Sequence, residues 1–301
     1  MNFDLLAVLG PTASGKTRLG VELARRLSGE VISADSRQVY RGMDLGTGKD
    51  LAEYGEIPFH LIDIVPAGCE FNVFQFQRRF LAASADIRTR GKLPVLVGGT
   101  GMYLDAALGV RMLQEVPENP ALRVELDRLS MGTLAERLRS LTSRLHNTTD
   151  LLERPRLIRA IEIAAFEAEH PAGPLPSLRS CIFGIRWERE TLRRRITHRL
   201  RARLDQGMVE EVALLHDAGI PWEKLEFYGL EYRFITRHLR GELSRNDMVQ
   251  KLNGAIHDFA KRQETWFRRM ERNGTVIRWL DGAGDPLEEA MGIIRNASRR
   301  G

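Results

Sequence analysis

Short unbroken apolar runs alternate with longer stretches of helical period along the first third of the chain. The runs at Leu5–Leu9, 31–33, 60–64 and 93–97 predict strands, and 17–27 and 72–90 predict helices. Asn72 is a capping residue, Val73, Phe76, Phe80, Leu81 and Ile87 share one face behind it, and Gly91 ends the segment. Strands that are apolar throughout and separated by helices predict a parallel sheet covered on both faces. The pattern changes at Pro117-Glu118-Asn119-Pro120. From 121 to 169 only helical spacing remains, at Leu122, Leu126 and Leu129, at Leu134, Leu138, Leu141 and Leu145, and at Leu157 and Ile161. The run Pro171-Ala172-Gly173-Pro174-Leu175-Pro176 breaks it, and Ile182-Phe183-Gly184-Ile185 predicts a return strand. The expected fold is therefore α/β: a parallel-sheet core of 1–116 and 179–301 with a helical insertion at 117–178. Leu192, Ile196, Leu200, Leu204, Met208 and Val212 form an i+4 stripe that predicts one long helix, and a further helix is predicted over 245–271 with Met248, Leu252, Ile256, Phe259 and Trp266 inward.

Composition changes this picture little, and charge changes it more. With 301 residues, 43% hydrophobic and 28% charged, the chain is long enough for a large core, and no run approaches the ~20 apolar residues of a membrane span. The first strand starts almost at once, so no signal peptide is expected, and the two distant cysteines, Cys69 and Cys181, suggest a reducing compartment. A cytoplasmic monomer without membrane contact is expected. The net charge of +5 is unevenly spread: 179–203 holds nine Arg against Glu188 and Glu190. Lys261, Arg262, Arg268, Arg269 and Arg272 make a second basic stretch. Such local excess suits a polyanion, although a solvated helix face has the same composition.

The chemistry-bearing motif follows the first strand. Gly10-Pro11-Thr12-Ala13-Ser14-Gly15-Lys16-Thr17 fits G-x-x-x-x-G-K-[ST] between a strand and a helix. Its glycines allow backbone N–H groups to face an anion, the helix start adds partial positive charge, Lys16 can reach a terminal phosphate and the Thr17 hydroxyl can hold Mg²⁺. The fold expectation sharpens to a P-loop NTPase-like sheet, binding a diphosphate or triphosphate. Two further clusters end strands, at the sheet edge where ligands gather. Asp35, in Ser33-Ala34-Asp35-Ser36-Arg37-Gln38, is placed one strand over from the cradle, where it could accept a proton, hold a cation through water or cap a helix. Thr100, in Val97-Gly98-Gly99-Thr100-Gly101, could donate to a phosphate oxygen or simply sit in a tight turn. Asp63 closes the 60–64 run and is a weak candidate for assisting Mg²⁺.

Five stretches together resemble a known family: GPTASGKT at 10–17, SADSRQVYRGMDLGTGK at 33–49, HLID at 60–63, LVGGTGMY at 96–103 and AKRQETWFR at 260–268. They are similar to the tRNA dimethylallyltransferases, also called tRNA isopentenyltransferases, and the likeness runs from Leu6 to about Trp279. The resemblance implies transfer of a dimethylallyl group from dimethylallyl diphosphate to N6 of the adenine 3′ of the anticodon, in tRNAs reading U-starting codons, with the P-loop on the donor's diphosphate. It implies Mg²⁺ as cofactor, held by Thr17, and the anticodon stem-loop of tRNA as partner. Asp35 becomes the base for the N6 proton, and Thr100 the donor to the breaking C–O bond. Asp35, Ser36, Arg37 and Gln38, together with Arg123 and the segment Pro155-Arg156-Leu157-Ile158-Arg159, become tRNA contacts, and the arginine excess would hold anticodon-stem phosphates. The chain departs from the family pattern at Ile256-His257, where Thr-Arg is usual, at Tyr228-Gly229-Leu230-Glu231-Tyr232, where Ile-Gly-Tyr-Lys-Glu is usual, and at Leu152-Glu153-Arg154-Pro155-Arg156, where an Asn-Asp-x-x-Arg pattern is altered. Three rivals are a prenyltransferase acting on free adenine nucleotides, a P-loop kinase and a non-catalytic RNA-binding paralogue.

Overall fold

A computed structural model describes residues 2–109, 111–142 and 151–298, so Leu145 lies outside the described residues. The strands are β1 (Leu5–Leu9), β2 (Gly29–Ala34), β3 (Tyr40–Arg41), β4 (Phe59–His60), β5 (Val65–Pro66), β6 (Leu93–Gly98), β7 (Ser180–Arg186) and β8 (Arg278–Asp281). The helices are α1 (Lys16–Arg26), α2 (Val73–Thr89), α3 (Gly101–Leu108), α4 (Pro120–Asp127), α5 (Met131–Leu141), α6 (Arg154–Glu169), α7 (Arg189–Asp205), α8 (Met208–Asp217), α9 (Trp222–Phe227), α10 (Leu230–Leu239), α11 (Arg245–Arg272) and α12 (Pro286–Ser298). The chain forms two compact units, Met1–Gly109 with Ser177–Gly301, and Val110–Pro176. Among the described residues no helix is long and apolar enough to cross a membrane.

The first unit is built on a sheet of order β4-β2-β6-β1-β7-β8 in which every pairing is parallel. β1, β2 and β6 are buried along their whole length, as strands covered on both faces must be. This order corrects one expectation. β6 lies between β1 and β2, so Asp35 stands two strands from the P-loop rather than one, and the Thr100 turn fills the gap. Gly98 is the register partner of both Leu9 and Ala34, so the ends of these three strands lie level. A Cβ at Gly98 would come within 2.2 Å of the Ala34 carbonyl oxygen, so only glycine permits this close pairing.

The stripe from Leu192 to Val212 is buried at all six positions, but Gly207 (φ 100°) divides it into α7 and α8 rather than one long helix. α11 runs as expected except that Phe259 is 38% exposed and lies outside the core. The 60–64 run forms a strand only at Phe59–His60; Leu61 (φ 64°) and Asp63 (φ 55°) turn the chain instead. Asn72 caps α2 in a reciprocal box with Gln75.

The second unit is helical and has its own core of Leu126, Leu134, Leu138, Leu157, Ile158 and Ile161. Beside that core Glu162, almost fully enclosed, accepts from the Asn119 amide at 2.9 Å, from Arg123 Nε at 2.8 Å and from Arg159 Nη1 at 3.0 Å. These donors overcome the desolvation of its carboxylate and hold its pKa at about 2. The sequence expectation for this stretch therefore changes. Leu157 and Ile158 are core residues, not RNA contacts, because their side chains are buried among other leucines. Arg123 and Arg159 are committed to Glu162, and Pro155 occupies the first turn of α6, where a missing N–H costs nothing. Arg156 is exposed and pairs with Glu153, the N-cap of α6, at 2.9 Å.

Candidate active site

The P-loop turns off the end of β1 and delivers Lys16 and Thr17 as the first residues of α1. Ala13 (φ 62°) and Gly15 (φ 90°) adopt left-handed backbone, which aims successive amides to one side. Ser14 Oγ is buried without a hydrogen-bond partner among the described residues, an orphaned polar atom inside the cradle. Lys16 Nζ reaches the Pro11 carbonyl oxygen at 3.4 Å. A cavity of about 420 Å³ opens over the loop, lined by Ala13 to Thr17 on one side, Asp50 and Glu53 on another and Arg194, Arg195, His198 and Arg199 from α7 on the third.

By the resemblance the α7 arginines would hold RNA phosphates. The structure turns one row of them inward. Arg195, Arg199 and Arg203 are spaced four apart and so share a helix face. Arg195 Nε donates to the Ala13 carbonyl at 2.9 Å and its guanidinium lies 4.2 Å over the Trp187 ring, while Trp187 Nε1 donates to the Ser14 carbonyl at 2.9 Å. Arg199 donates to Thr12 Oγ1. Arg203, buried, pairs with Asp50 at 3.0 Å. The i+4 repeat of arginine was visible in the sequence and is the signal that could have placed them.

The cradle is electrostatically unbalanced. Among the described residues no carboxylate lies in ion-pair range of Lys16 or Arg199. Burial, and then Arg199 beside it, holds the Lys16 ammonium down to about 8. Burial, and then Arg203, holds Arg199 down to about 10. Burial, and then Asp50, pushes the Glu53 carboxyl up. A bound anion would relieve the cation strain, which is what an oxyanion cradle needs. Thr17 and Glu53 are hard oxygen donors facing the same space and suit Mg²⁺, whereas both Asp50 oxygens accept from Arg203. Among the described residues no three His, Cys, Asp or Glu side chains cluster as a metal cage, so the remaining ligands would be diphosphate oxygens and water.

Gln263 on α11 ties the cradle to the Thr100 turn, a role the sequence reading did not find. Its Oε1 accepts from the Thr12 amide at 2.8 Å and its Nε2 donates to the Gly99 carbonyl at 2.8 Å. One turn further, Trp266 packs on Gly101, where an added Cβ would meet the indole at 2.3 Å, and Trp266 Nε1 donates to Asp105 at 3.0 Å. Thr100 joins the turn to the Asp35 loop: its amide donates to the Ala34 carbonyl at 3.3 Å, and its Oγ1 accepts from the Ser36 amide at 3.1 Å. The Thr100 hydroxyl donates to Ser36 Oγ at 3.5 Å, a long bond that a phosphate oxygen could displace. Asp35 Oδ1 accepts from the Arg37 amide at 2.9 Å, and among the described residues no donor meets its other oxygen.

Two expected site residues are occupied elsewhere. Gln38 is buried, accepting from Ser33 Oγ at 2.9 Å and donating to the Gly48 carbonyl at 3.1 Å, so it braces the loop rather than meeting RNA. Asp63 accepts from the buried Lys49, which also donates to Asp44 at 2.6 Å and to the Tyr40 carbonyl at 2.6 Å. That pairing commits the Asp63 carboxylate to neutralising a buried ammonium and replaces its expected part in metal binding. The departure at Ile256-His257 leaves Ile256 in the core and His257 Nε2 3.4 Å from Thr197 Oγ1; arginine at the cradle comes from α7 instead. Glu231, where the family pattern has lysine, has its carboxyl pushed up by burial, partly offset by Arg199.

Comparison with known proteins agrees with this geometry. The IPP transferase family matches residues 38–270, and the isopentenyl transferase family matches 3–56. The tRNA dimethylallyltransferase 1 of Geotalea uraniireducens is 68% identical over 295 residues, covering 98% of each chain. Among solved structures, the tRNA isopentenylpyrophosphate transferase of Bacillus halodurans superposes with a TM-score of 0.72 at 33% identity, covering 98% of this chain and 95% of its own. The tRNA isopentenylpyrophosphate transferase of Staphylococcus epidermidis gives a TM-score of 0.71 at 31% identity over 99% of both chains. A sheet whose strand ends set a cation-lined cradle beside a threonine turn and a free carboxylate, matched along almost its full length by these relatives, places the chain in the IPP transferase family.

Proposed function

We propose that the chain transfers a dimethylallyl group from dimethylallyl diphosphate to N6 of the adenine 3′ of the anticodon in tRNAs reading U-starting codons. The single observation that carries the reading is the junction of three groups along one sheet edge: an uncompensated cationic cradle, the Thr100 hydroxyl, and Asp35, linked through Gln263 and the Ser36 amide. Lys16, Arg199 and the P-loop amides hold the diphosphate. The Thr100 Oγ–H donates to the bridging oxygen as it gains charge, where a preorganised donor acts most strongly. The adenine N6 bonds to C1 of the dimethylallyl group, the C1–O bond breaks and its electron pair leaves with diphosphate. Asp35 takes the proton that N6 sheds. Thr17 would hold Mg²⁺, which supplies charge neutralisation on the diphosphate when bound. An adenine in an unpaired loop leaves its stack cheaply, which suits an acceptor that must enter a cavity.

The test is prenyl incorporation into unmodified tRNA by Asp35→Ala and Thr100→Ala. Asp35→Ala loses about 10²–10⁴-fold in turnover, as expected for a general base. Thr100→Ala loses on the order of 10²–10³-fold, as for a single oxyanion donor. Near-native turnover in both ends the assignment.

A further inference from the structure

Phe227 ends α9 and is 64% exposed. It is held there rigidly. The next residue, Tyr228, is fully buried, packs on Tyr40 at 4.6 Å between ring centroids, and accepts from the Gly68 amide at 2.5 Å through its hydroxyl. Gly229 follows with φ 138° and ψ −174°, backbone open only to glycine, so the ring cannot swing inward without unwinding the turn. Two cations lie over the ring at cation–π range, the Arg37 guanidinium 5.7 Å from its centroid and Lys224 Nζ 5.9 Å. Arg37 has no carboxylate in ion-pair range among the described residues, and Lys224 meets only the exposed Glu70, at 3.8 Å. Arg37 belongs to the Asp35 loop, its amide bonded to the Asp35 carboxylate.

We propose that Phe227 is a stacking platform for an unpaired nucleobase next to the acceptor adenine, with Arg37 and Lys224 receiving the flanking phosphates. An exposed aromatic ring with two cations close to it complements a base carried on a phosphate chain, whereas a protein partner would need a wider apolar patch around the ring. The platform is built from the loop that carries the catalytic carboxylate, so a base seated on Phe227 sets the register of the strand entering the site. The inference rests on RNA being the substrate, as proposed above.

The experiment is filter binding of an unmodified anticodon stem-loop RNA by the full chain, run beside prenyl transfer with dimethylallyl diphosphate, for wild type, Phe227→Ala, Phe227→Leu and Phe227→Trp. Alanine and leucine lose on the order of tenfold in RNA affinity, tryptophan keeps it, and the KM for the donor stays unchanged. Leucine separates a π-face from mere apolar contact, and it decides the matter if the alanine variant folds poorly. Arg37→Gln lowers the slope of log affinity against log salt by about 0.7, the share of one phosphate on a single strand. RNA binding by Phe227→Leu equal to wild type overturns the proposal while leaving prenyl transfer standing. Binding that depends on Phe227 in a chain that transfers no prenyl group supports the platform and removes the proposed reaction. A change in oligomeric state with RNA affinity untouched assigns the ring to a protein interface and overturns it too.

Discussion

Gln263→Glu is the sharpest perturbation of the cradle because it changes one atom in a saturated position. Both amide arms are used, Oε1 by the Thr12 amide and Nε2 by the Gly99 carbonyl, each at 2.8 Å, and the residue is 7% exposed. In the ionised variant the first bond survives and is strengthened by charge. The second becomes a contact between two acceptors, and the Gly99 carbonyl is left unsatisfied. Leaving such a buried group unpaired costs about 1–3 kcal/mol. At about 2 °C per kcal/mol for a chain of this size, melting falls by roughly 2–6 °C at neutral pH. The protonated variant regains a donor toward Gly99, so its deficit shrinks as pH falls below the pKa of the new carboxyl. Diphosphate affinity falls as well, because the new negative charge sits beside the Thr12 amide that the anion would use. Thermal melting and diphosphate titration between pH 5.5 and 8.0, roughly the stable range of an ordinary domain, read both effects. Equal melting and equal diphosphate affinity for variant and wild type across that range would refute the bridging role.

Three other outcomes follow from the same geometry. Lys16 is held near 8 without an anion beside it, so diphosphate binding raises its pKa and takes up a proton above that pH; affinity measured by calorimetry therefore weakens as pH rises through 8, and a flat profile contradicts the cradle electrostatics. Glu162→Ala removes the shared acceptor of Arg123, Arg159 and the Asn119 amide and costs about 1–3 kcal/mol in denaturant unfolding of the helical unit. The Glu162 carboxyl lies below its unfolded value, so its contribution is present above about pH 4.5 and is lost as pH falls toward 2. Glu211→Gln removes charge from a carboxylate that accepts from the amides of Asp44, Leu45 and Gly46 at 2.8, 2.7 and 3.0 Å, so hydrogen exchange at those three amides accelerates while the sheet core is unaffected.

The parts of this molecule that were legible in its sequence are those whose physics is local. β1 and β6 are strands of continuous apolar residues bounded by glycine, and the G-x-x-x-x-G-K-T string needs nothing beyond its own strand and helix to become a cradle. Strand order is not local, and the insertion of β6 between β1 and β2 moved Asp35 a strand further from the P-loop than its sequence position suggested. The composition of α7 suits a solvated face as well as a polyanion site. Its inward row is fixed by Trp187, Ala13 and Asp50, which receive it in the fold. Position makes Asp63 a weak Mg²⁺ candidate and the resemblance makes Gln38 an RNA contact, but a buried lysine and a buried loop claim them. Gln263 lies 251 residues from Thr12, and no pattern within a window links them.

The central claim is that a diphosphate held by Lys16 and its arginines departs from a prenyl carbon while an adenine amine replaces it. It is tested most directly by mass analysis of nucleosides from unmodified tRNA incubated with the chain, dimethylallyl diphosphate and Mg²⁺. The account predicts dimethylallyl adenosine at a single position 3′ of the anticodon, with one diphosphate released per base modified. Unmodified adenosine throughout, with ATP hydrolysed in the same cavity, would contradict it.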